Sequence, residues 1–383
     1  MVDKTQKLAT LAELVDSLGD SRKATEKGLL SLCEERFSAV FFLRLKTCNA
    51  STGFGVSLSS VFCDTESLQD RFYPFSSVFT KGADLLYQIL KNPTDLVIED
   101  ENLDIAVRRL LAFISNSDSM NFIKDLDRQA SVRLKNKTAL SVALAEHLFG
   151  KLSLRKSYTI NTRFKSEVDK CQCGCGTSIK YRFGDTSIGQ ETVWHGDLDM
   201  VLGAGEDQIP VLLSGMEDSS PETTDEVKPK SLHYPHIKHQ MLAQTILFSF
   251  LQKKDFPESR HFLVPSIGVS PKEVIFFFYD SENDVLIQSV KMPLRSGTGV
   301  CYSTIIAIWM TLNYRHLGSG ITSLSQAPKS NFLNLAKDVI DIYQNDLNLG
   351  GIQGSFLEDT LYPQDIPKEK MVFWGAQKFE FGN

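Results

Sequence analysis

Two aspartates lie two residues apart within the apolar run Glu191–Leu202, which reads ETVWHGDLDMVL. Side chains two apart on a β-strand point to the same face, so Asp197 and Asp199 are predicted to share one side of a strand. Between Phe183 and Val227 there are eleven acidic residues and no Lys or Arg. Carboxylate oxygens are the ligands that hard cations such as Mg²⁺ require. The pattern therefore predicts a divalent-cation site in this segment.

The segment that precedes these acids is strongly basic. Lys124–Arg182 contains thirteen Lys or Arg against five Asp or Glu, although the whole chain has a formal net charge of −6. Because Lys and Arg neutralise phosphates, a basic face beside a metal site predicts a nucleic-acid partner, with DNA as the first expectation. A solvated surface explains the basic residues equally well. The candidate phosphate-binding residues are Arg155, Lys156, Arg163 and Lys165.

The order of elements around Asp199 is similar to that of the restriction-endonuclease-like, or PD-(D/E)XK, nuclease superfamily, especially its RecB-like exonuclease branch. A helical Glu146 comes first, a strand of the Gly-x-x-Asp type follows at Gly196–Leu202, and a helix with Gln240 and Gln244 comes later. The resemblance covers roughly Lys137–Val290. It implies a mixed-sheet core flanked by helices and a nuclease that uses Mg²⁺ or Mn²⁺ to hydrolyse phosphodiester bonds.

The family's Glu-x-Lys element is the weakest part of this resemblance. By spacing it should end the strand Ile209–Leu213, but the chain continues there with Ser-Gly-Met-Glu217. A literal Glu-x-Lys occurs only later, at Glu226 and Lys228. Either the element has migrated, or Glu217 serves alone, or the site is degenerate.

The resemblance assigns the remaining roles residue by residue. Catalytic candidates are Asp199, Glu226, Lys228 and Gln240; metal-ligand candidates are Asp199, Glu217, Glu226 and Glu146; Asp197, His195 and Gln244 are candidates to support those ligands. Each also has a purely structural interpretation. The acids and Lys228 could be solvated charges, His195 could be a core residue, and Gln240 and Gln244 could form an exposed polar stripe one helical turn apart.

Three cysteines form a second candidate metal site. In an extended chain the sulfurs of Cys171, Cys173 and Cys175 would face one way, and a fourth ligand could close a zinc site. Cys33, Cys48, Cys63 or a histidine could supply that ligand. The usual paired Cys-x₂-Cys pattern is absent, so a glycine-rich hairpin tip with reduced thiols is the preferred interpretation and zinc the secondary one.

Composition restricts the class of protein. The 383 residues are 42% apolar, enough for a large core, and no apolar run has the length of a bilayer span. The N-terminal MVDKTQKLATL lacks a continuous apolar segment, and seven cysteines are an odd number. These features predict an intracellular protein, nuclear or cytoplasmic, without a membrane partner.

Periodicity predicts an α+β, or alternatively α/β, fold in three regions. Residues 1–135 are predicted to be mostly helical, 136–317 to form the nuclease-like core, and 318–383 to form a C-terminal extension. Thr138 is predicted to cap a helix that runs to His147. Further predictions are the helices Leu8–Leu18, Glu101–Ile114, Ser119–Leu134, His239–Gln252, Thr304–His316 and Phe332–Tyr343, the strands Ala39–Leu45, Glu191–Leu202 and Ile209–Leu213, the hairpin Val274–Tyr279/Val285–Val290, and a polar loop at Met216–Lys230.

Three functions remain open on the sequence. The first is a metal-dependent nuclease. The second is a catalytically degenerate protein of the same fold that binds nucleic acid or a protein partner. The third is a zinc-stabilised interaction module built on the three cysteines.

Overall fold

The computed structural model describes residues 10–34, 38–94, 96–134, 136–164, 170–179, 182–214, 235–259, 263–297, 299–320 and 327–352. The described residues all belong to one compact unit, and residues 353–383 lie outside them. The predicted loop Met216–Lys230 also lies outside them, together with Glu217, Glu226 and Lys228.

The fold is α+β, as predicted, with a large mixed sheet between helices. The helices are α1 Leu11–Ser17, α2 Ser21–Leu32, α3 Thr80–Lys91, α4 Glu101–Ser115, α5 Ser117–Val132, α6 Lys137–Leu144, α7 Pro235–Asp255, α8 Tyr302–Leu312, α9 Tyr314–Leu317, α10 Phe332–Leu335 and α11 Ile340–Asn345. The strands are β1 Ala39–Cys48, β2 Val56–Ser57, β3 Cys63–Pro74, β4 Tyr158–Asn161, β5 Phe183–Gly184, β6 Ser187–Gly189, β7 Trp194–Asp197, β8 Met200–Leu202, β9 Ile209–Leu213, β10 Leu263–Val269, β11 Glu273–Asp280, β12 Val285–Ser289, β13 Met292–Pro293, β14 Arg295–Ser296, β15 Gly299–Val300 and β16 Asn348–Leu349.

The main sheet has the strand order β3-β1-β12-β11-β10-β9-β8-β4-β5. Strands β4, β8 and β9 form an antiparallel meander, and β10 lies parallel to β9 after the long helix α7. Strands β1 and β3 from the N-terminal region extend the same sheet through β12, so the sheet contains strands from both sides of residue 135. A smaller sheet has the order β16-β6-β7-β2.

The central strands are apolar because they are covered on both faces. Strand β11 contains the run Val274–Tyr279, in which every residue is buried, and β10 is buried along its whole length. One face packs against a core that includes residues of α4, α6 and α8, and the other face packs against α7 and the C-terminal helices. Burial on both faces explains why a near-continuous apolar run predicted β11 correctly; β10 was not predicted as a strand.

The prediction of one continuous strand at Glu191–Leu202 is wrong. The segment forms β7, which pairs with β6 and β2, and β8, which pairs with β4 and β9 in the main sheet. Gly196, near the end of β7, has φ +148°, which side chains oppose, and a Cβ at this position would lie 3.1 Å from the Leu58 side chain. Asp199 therefore lies in the break between two strands and not within one.

Helix α6 begins two residues earlier than predicted. The side chain of Asn136 accepts a hydrogen bond from the Ala139 N–H, so Asn136 is the N-terminal cap and Thr138 is not. After Leu144 the chain continues as a π-helical turn, Ala145–Phe149, and a last α-helical turn, Gly150–Leu152. This continuous helical unit carries two of the residues that matter most below, Lys137 and His147.

Among the described residues, no helix has both the length and the apolarity that a membrane crossing requires.

Candidate metal centre and the Asp199 ion pair

Asp199 is buried, and each oxygen of its carboxylate has a partner. Its Oδ1 lies 2.7 Å from the Lys137 ammonium, and its Oδ2 accepts a hydrogen bond of 2.8 Å from the Leu213 N–H. The Asp199 side chain is 1% exposed and that of Lys137 is 15% exposed. The contact joins the first residue of α6 to the break between β7 and β8, and it places a positive charge where a metal ion was predicted.

The end of β9 does not supply a second ligand. Residues Ile209–Leu213 and Ser214 contain no ionisable side chain, although Leu213 contacts Asp199 through its backbone. Glu217, Glu226 and Lys228 lie outside the described residues, so the migrated Glu-x-Lys element stays a prediction. Within the described part of the chain, Asp199 belongs to no group of three metal-binding side chains.

Glu146 lies at the far end of the β4–β8 pair. It accepts a hydrogen bond of 2.6 Å from the Tyr158 hydroxyl, and Tyr158 is opposite Leu202 in the register. The Asp199 carbonyl instead accepts a hydrogen bond from the Asn161 N–H. Asn161 lies three residues beyond Tyr158 on β4, a separation of roughly 10 Å at the usual strand rise. Burial, and then the hydrogen bond to Glu146, raises the pKa of the Tyr158 hydroxyl well above its ordinary value. The structure therefore does not bring Glu146 to Asp199.

The two residues predicted to support Asp199 have other partners. Asp197 is about one-third exposed and forms an ion pair with Arg163 at 3.5 Å. His195 is buried in β7, where its Nδ1 lies 3.0 Å from the carbonyl oxygen of Val193. The prediction that Asp197 and Asp199 share a strand face fails, because the break at residues 198–199 separates them.

The glutamines on α7 differ in burial. Gln240 is half-buried, whereas Gln244 is completely buried and neither atom of its amide has a hydrogen-bond partner among the described residues. An exposed polar stripe therefore does not describe this helix face.

Acids from the following segment pair with three residues of the basic segment. Arg155 lies 3.0 Å from Asp207, Arg163 pairs with Asp197, and Lys137 pairs with Asp199. Lys156 is exposed, and Lys165 lies outside the described residues. The contrast in charge along the sequence thus corresponds, at three places, to contacts within the molecule.

The three cysteines converge on a histidine. The donor atoms of His147, Cys171, Cys173 and Cys175 all lie within 4.8 Å of one another. His147 Nε2 is 3.0 Å from Cys173 Sγ and 3.7 Å from Cys171 Sγ, and the sulfurs of Cys171 and Cys173 are 3.2 Å apart. Tetrahedral zinc with Zn–S and Zn–N bonds of 2.0–2.3 Å requires donor separations of roughly 3.5–3.8 Å. The four side chains can therefore hold a metal ion with small adjustments.

A short hairpin presents the thiols. Lys170 and Ser178 form a β-bridge, the Cys171 N–H donates to the Thr177 carbonyl, and the chain turns between them. Gly174 and Gly176 have φ values of +96° and +77°, which side chains at these positions would oppose. The sequence CQCGCG thus forms the hairpin tip that was predicted, and the prediction of a cysteine-based metal site is confirmed to the extent that the cluster can hold an ion.

Protonation in this cluster depends first on burial. Burial raises the pKa of the Cys171 and Cys173 thiols above their ordinary value. For Cys175 burial acts in the same direction, but hydrogen bonds with Thr177 and the neighbouring thiols outweigh it and lower the pKa. Burial, assisted by the nearby Lys151 charge, lowers the pKa of His147 and so favours the neutral imidazole, which is the form that binds metals.

Sequence reasoning left the fourth ligand open, and the structure identifies it as His147. The residue lies 24 positions before Cys171 on the helical unit, so its spacing carries no recognisable pattern. The π-helical turn is the local signal, because such turns occur often at functional sites, but it is visible only in three dimensions. Cys33, Cys48 and Cys63 do not take part.

The site is thus of the three-cysteine, one-histidine class, and comparison with known proteins adds no precedent for it. No family profile, no curated protein and no solved structure matches this chain. The functional interpretation therefore depends on the geometry alone.

Proposed function

We propose that this chain is a zinc-binding protein in which the metal has a structural role. In this proposal zinc holds the hairpin of residues 170–178 against the π-helical turn Ala145–Phe149. The observation that carries it is the convergence of His147, Cys171, Cys173 and Cys175, with every donor atom within 4.8 Å of the others.

The donor set supports zinc over magnesium. Three thiols and one imidazole are ligands that zinc prefers, whereas Mg²⁺ prefers oxygen ligands. Four protein donors would complete a tetrahedral shell and leave no position for water or substrate, which is the arrangement of structural rather than catalytic zinc sites. A site of this kind needs reduced thiols, which also supports the predicted intracellular location.

The position of the cluster supports a role in stability. Cys171 and Ile179, near the two ends of the hairpin, belong to the same core as Leu140 and Leu148 of the helical unit. The hairpin is short, and its tip residues 174–176 are exposed, so its own apolar contacts are few. A metal ion would add covalent-strength bonds between two segments that are otherwise joined by limited packing. The zinc-held hairpin would be a rigid surface element, as expected of an interaction module.

The test is the metal content of protein purified without added metal. We expect about one zinc per chain in the wild type, and loss of zinc in His147→Ala and Cys173→Ser. Cys33→Ser is the matched control, because Cys33 is an exposed free cysteine outside the cluster. A wild type that stays zinc-free after reduction and incubation with zinc, or a control that loses zinc equally, would refute the proposal.

A second candidate, a metal-dependent nuclease acting on nucleic acid, is favoured by one observation. The order of α6, then a series of strands that includes β4, β8 and β9, then α7 agrees with the helix–strands–helix order on which the resemblance to the PD-(D/E)XK superfamily rests. In this candidate Asp199 is the ligand for Mg²⁺, and the Lys137 ammonium at 2.7 Å takes the place of the lysine that β9 lacks. A bound Mg²⁺ would supply the charge that activates water. Lys137 would orient that water or stabilise the developing negative charge.

Cleavage of labelled DNA and RNA with Mg²⁺ or Mn²⁺ tests this candidate. Activity should fall by at least about a hundredfold in Asp199→Asn and Lys137→Met, if these groups stabilise the transition state. Asp341→Asn, a change of an exposed acid on α11, should leave it unchanged. Glu226→Gln and Lys228→Met test the migrated Glu-x-Lys element, Glu217→Gln tests the alternative metal ligand, and Gln240→Ala tests the predicted catalytic glutamine. Binding of nucleic acid without cleavage would support the degenerate alternative.

A further inference from the structure

Two cysteines outside the metal cluster lie directly opposite each other in the main sheet. Cys48 is the last residue of β1 and Cys63 is the first residue of β3, and the two are partners in the antiparallel register. Both are free cysteines, with Cys48 half-buried and Cys63 buried. Neither belongs to the group around His147. The fold therefore brings two further thiols together at the end of a strand pair.

The hydrogen bonds of this strand pair place the two side chains close to each other. The Asn49 N–H donates a hydrogen bond of 3.2 Å to the Phe62 carbonyl oxygen, so residues 49 and 62 form a hydrogen-bonded pair. Because the two kinds of pair alternate along antiparallel strands, Cys48 and Cys63 form a non-hydrogen-bonded pair, with Cα atoms roughly 4.5 Å apart. A disulfide requires Cα atoms roughly 4.4–6.8 Å apart. The backbone therefore already has a spacing that a disulfide can bridge.

Both side chains face the same core. Cys63 is buried in the core on the α7 side of the sheet, and Cys48 packs against that core. Tyr343 of α11 lies beside them, and its hydroxyl donates a hydrogen bond of 3.2 Å to the Ala50 carbonyl oxygen. Burial raises the pKa of Tyr343, and both thiols act in the same direction. Register and burial thus agree that the two sulfurs lie on one side of the sheet, as a cross-strand disulfide requires.

The two thiols differ in accessibility. Cys63 is 2% exposed, whereas Cys48 is half-buried, so Cys48 is the residue that a small oxidant reaches first. Burial raises the pKa of Cys63 well above its ordinary value, the neighbouring Cys48 acts in the same direction, and the Lys238 charge opposes it. Burial also raises the pKa of Cys48, against a hydrogen bond with the Ala50 backbone. Because the thiolate is the nucleophile, exchange at this pair should be slow at neutral pH.

We infer that Cys48 and Cys63 form a reversible cross-strand disulfide, which makes the pair an oxidation site separate from the metal cluster. The oxidant is a low-molecular-weight disulfide such as oxidised glutathione. The Cys48 thiolate attacks one of its sulfurs, forms a mixed disulfide and releases one small thiolate. The Cys63 thiolate then attacks the Cys48 sulfur, and the second small thiolate leaves. Two protein thiols lose two electrons and two protons, and the small disulfide gains them and becomes two thiols.

The bond would join the two ends of the connection formed by residues 49–62. This connection contains β2, which pairs with β7, and Leu58, which lies against Gly196. The Asn49 side chain at its start accepts a hydrogen bond of 3.1 Å from the Trp194 indole. A covalent link between these ends restricts the unfolded chain, so the oxidised protein should unfold at a higher temperature than the reduced protein. The inference does not depend on zinc, because the two sites share no residue.

Mass spectrometry after alkylation tests the inference. The full chain is equilibrated with reduced and oxidised glutathione at about pH 8.5, where more of the thiols ionise. The remaining thiols are then alkylated in denaturant, and the chain is digested with trypsin. Trypsin releases Thr47–Arg71 as one peptide that contains Cys48, Cys63 and no other cysteine. We expect this peptide to carry no alkyl group and to be lighter than the reduced peptide by two hydrogens, and dithiothreitol before alkylation should restore two alkyl groups.

Three variants locate the bond. Cys48→Ser and Cys63→Ser should each abolish it, whereas Cys33→Ser, a change of an exposed free cysteine, should retain it. The same equilibration in denaturant measures what the fold contributes, and the equilibrium constant for the bond should be at least about tenfold larger in the folded chain. Oxidation should raise the thermal midpoint of the wild type but not that of Cys63→Ser.

Three results would overturn the inference. The first is a doubly alkylated Thr47–Arg71 peptide under conditions that oxidise Cys33. The second is glutathione retained on Cys48 or Cys63 without a bond between them, and the third is an equal equilibrium constant in folded and denatured chains. Circular dichroism establishes that each variant is folded, and Cys48→Ser provides a second test if Cys63→Ser does not fold.

Discussion

The helical unit that begins with α6 contacts its neighbours at two polar points that differ in how charge is balanced. At one point Lys137 neutralises Asp199 with a charge from the chain itself, 2.7 Å away. At the other, His147 meets three thiols, and the nearby Lys151 charge acts on the imidazole. The first contact is balanced by charges of the chain itself, whereas the second is a group of donors that could hold a metal ion.

The difference shows that ligand type alone does not identify a metal site. An aspartate was the leading metal ligand on sequence grounds, yet its two oxygens are held by Lys137 and by the Leu213 N–H. The thiols were the secondary candidate, and burial raises the pKa of Cys171 and Cys173, so they stay protonated unless a cation displaces the protons. What matters is whether the chain already supplies the opposite charge.

The largest expected effect comes from breaking the ion pair. Lys137→Met leaves Asp199 buried without its counter-charge and should lower the free energy of unfolding by about 3–5 kcal/mol. Adding Asp199→Asn removes the stranded charge and keeps an acceptor for the Leu213 N–H, so the double variant should recover most of the loss. Denaturant titration measures both values. A single variant within about 0.5 kcal/mol of wild type would show that the pair has no structural role.

Removal of zinc should have the next largest effect. With free zinc at a hundred times its dissociation constant, chelation should lower the free energy of unfolding by about 2.7 kcal/mol. Cys173→Ser should abolish this zinc dependence and Cys33→Ser should retain it. Lys137→Met should also retain it, since the two contacts share no residue. Loss of the zinc effect in Lys137→Met would mean that the ion pair and the cysteine cluster are energetically coupled.

Acid should weaken the metal-free protein through His147. Burial lowers the folded-state pKa of His147, so the unfolded chain, with an ordinary value of about 6.5, takes up the proton first. The stability contribution is fully present above the unfolded pKa and is lost as pH falls from there toward the folded value. Thermal unfolding of chelated protein between pH 7.5 and 5 measures this loss. His147→Gln should flatten the profile, and an unchanged slope in that variant would assign the effect to other groups.

The smallest effect should come from the exposed ion pairs. Arg155→Ala and Arg163→Ala each remove a solvent-exposed partner of an acid and should change the free energy of unfolding by at most about 1 kcal/mol. Denaturant titration of these variants and of Lys137→Met compares the loss of unfolding free energy at the exposed pairs with the loss at the buried pair. If nucleic acid binds at these two arginines, each variant should also reduce the slope of the logarithm of the binding constant against the logarithm of the salt concentration by about one. A loss as large as that of Lys137→Met would contradict the comparison.

Much of the fold could be predicted where burial alone decides the structure. The strand Ile209–Leu213 and the hairpin of β11 and β12 were predicted nearly to the residue, because apolar runs between turn residues leave few alternatives. The prediction for Glu191–Leu202 was wrong because the segment breaks at residues 198–199, where β7 ends its pairing with β6 and β2 and β8 begins its pairing with β4 and β9. A run with strand composition does not reveal that its two halves belong to different sheets.

The candidate sites depended on contacts that are distant in sequence. Lys137 and Asp199 are 62 positions apart, and His147 precedes the cysteine hairpin by more than twenty. The sequence shows a basic segment followed by an acidic one. It does not show whether these charges contact a ligand or each other. Here three basic residues face acids of the following segment, which makes charge segregation a predictor of tertiary contacts as much as of a polyanionic partner.

The π-helical turn Ala145–Phe149 has a genetic consequence. A π-turn holds one residue more than the α-helix it interrupts, and Gly150 closes it where a Cβ would come within 2.6 Å of the Ala145 carbonyl oxygen. Loss of one codon between Leu144 and His147 would restore the α-helical phase and rotate the imidazole by about 100° around the helix axis. The reading frame and the apolar pattern would survive such a deletion, but the histidine would no longer face the thiols.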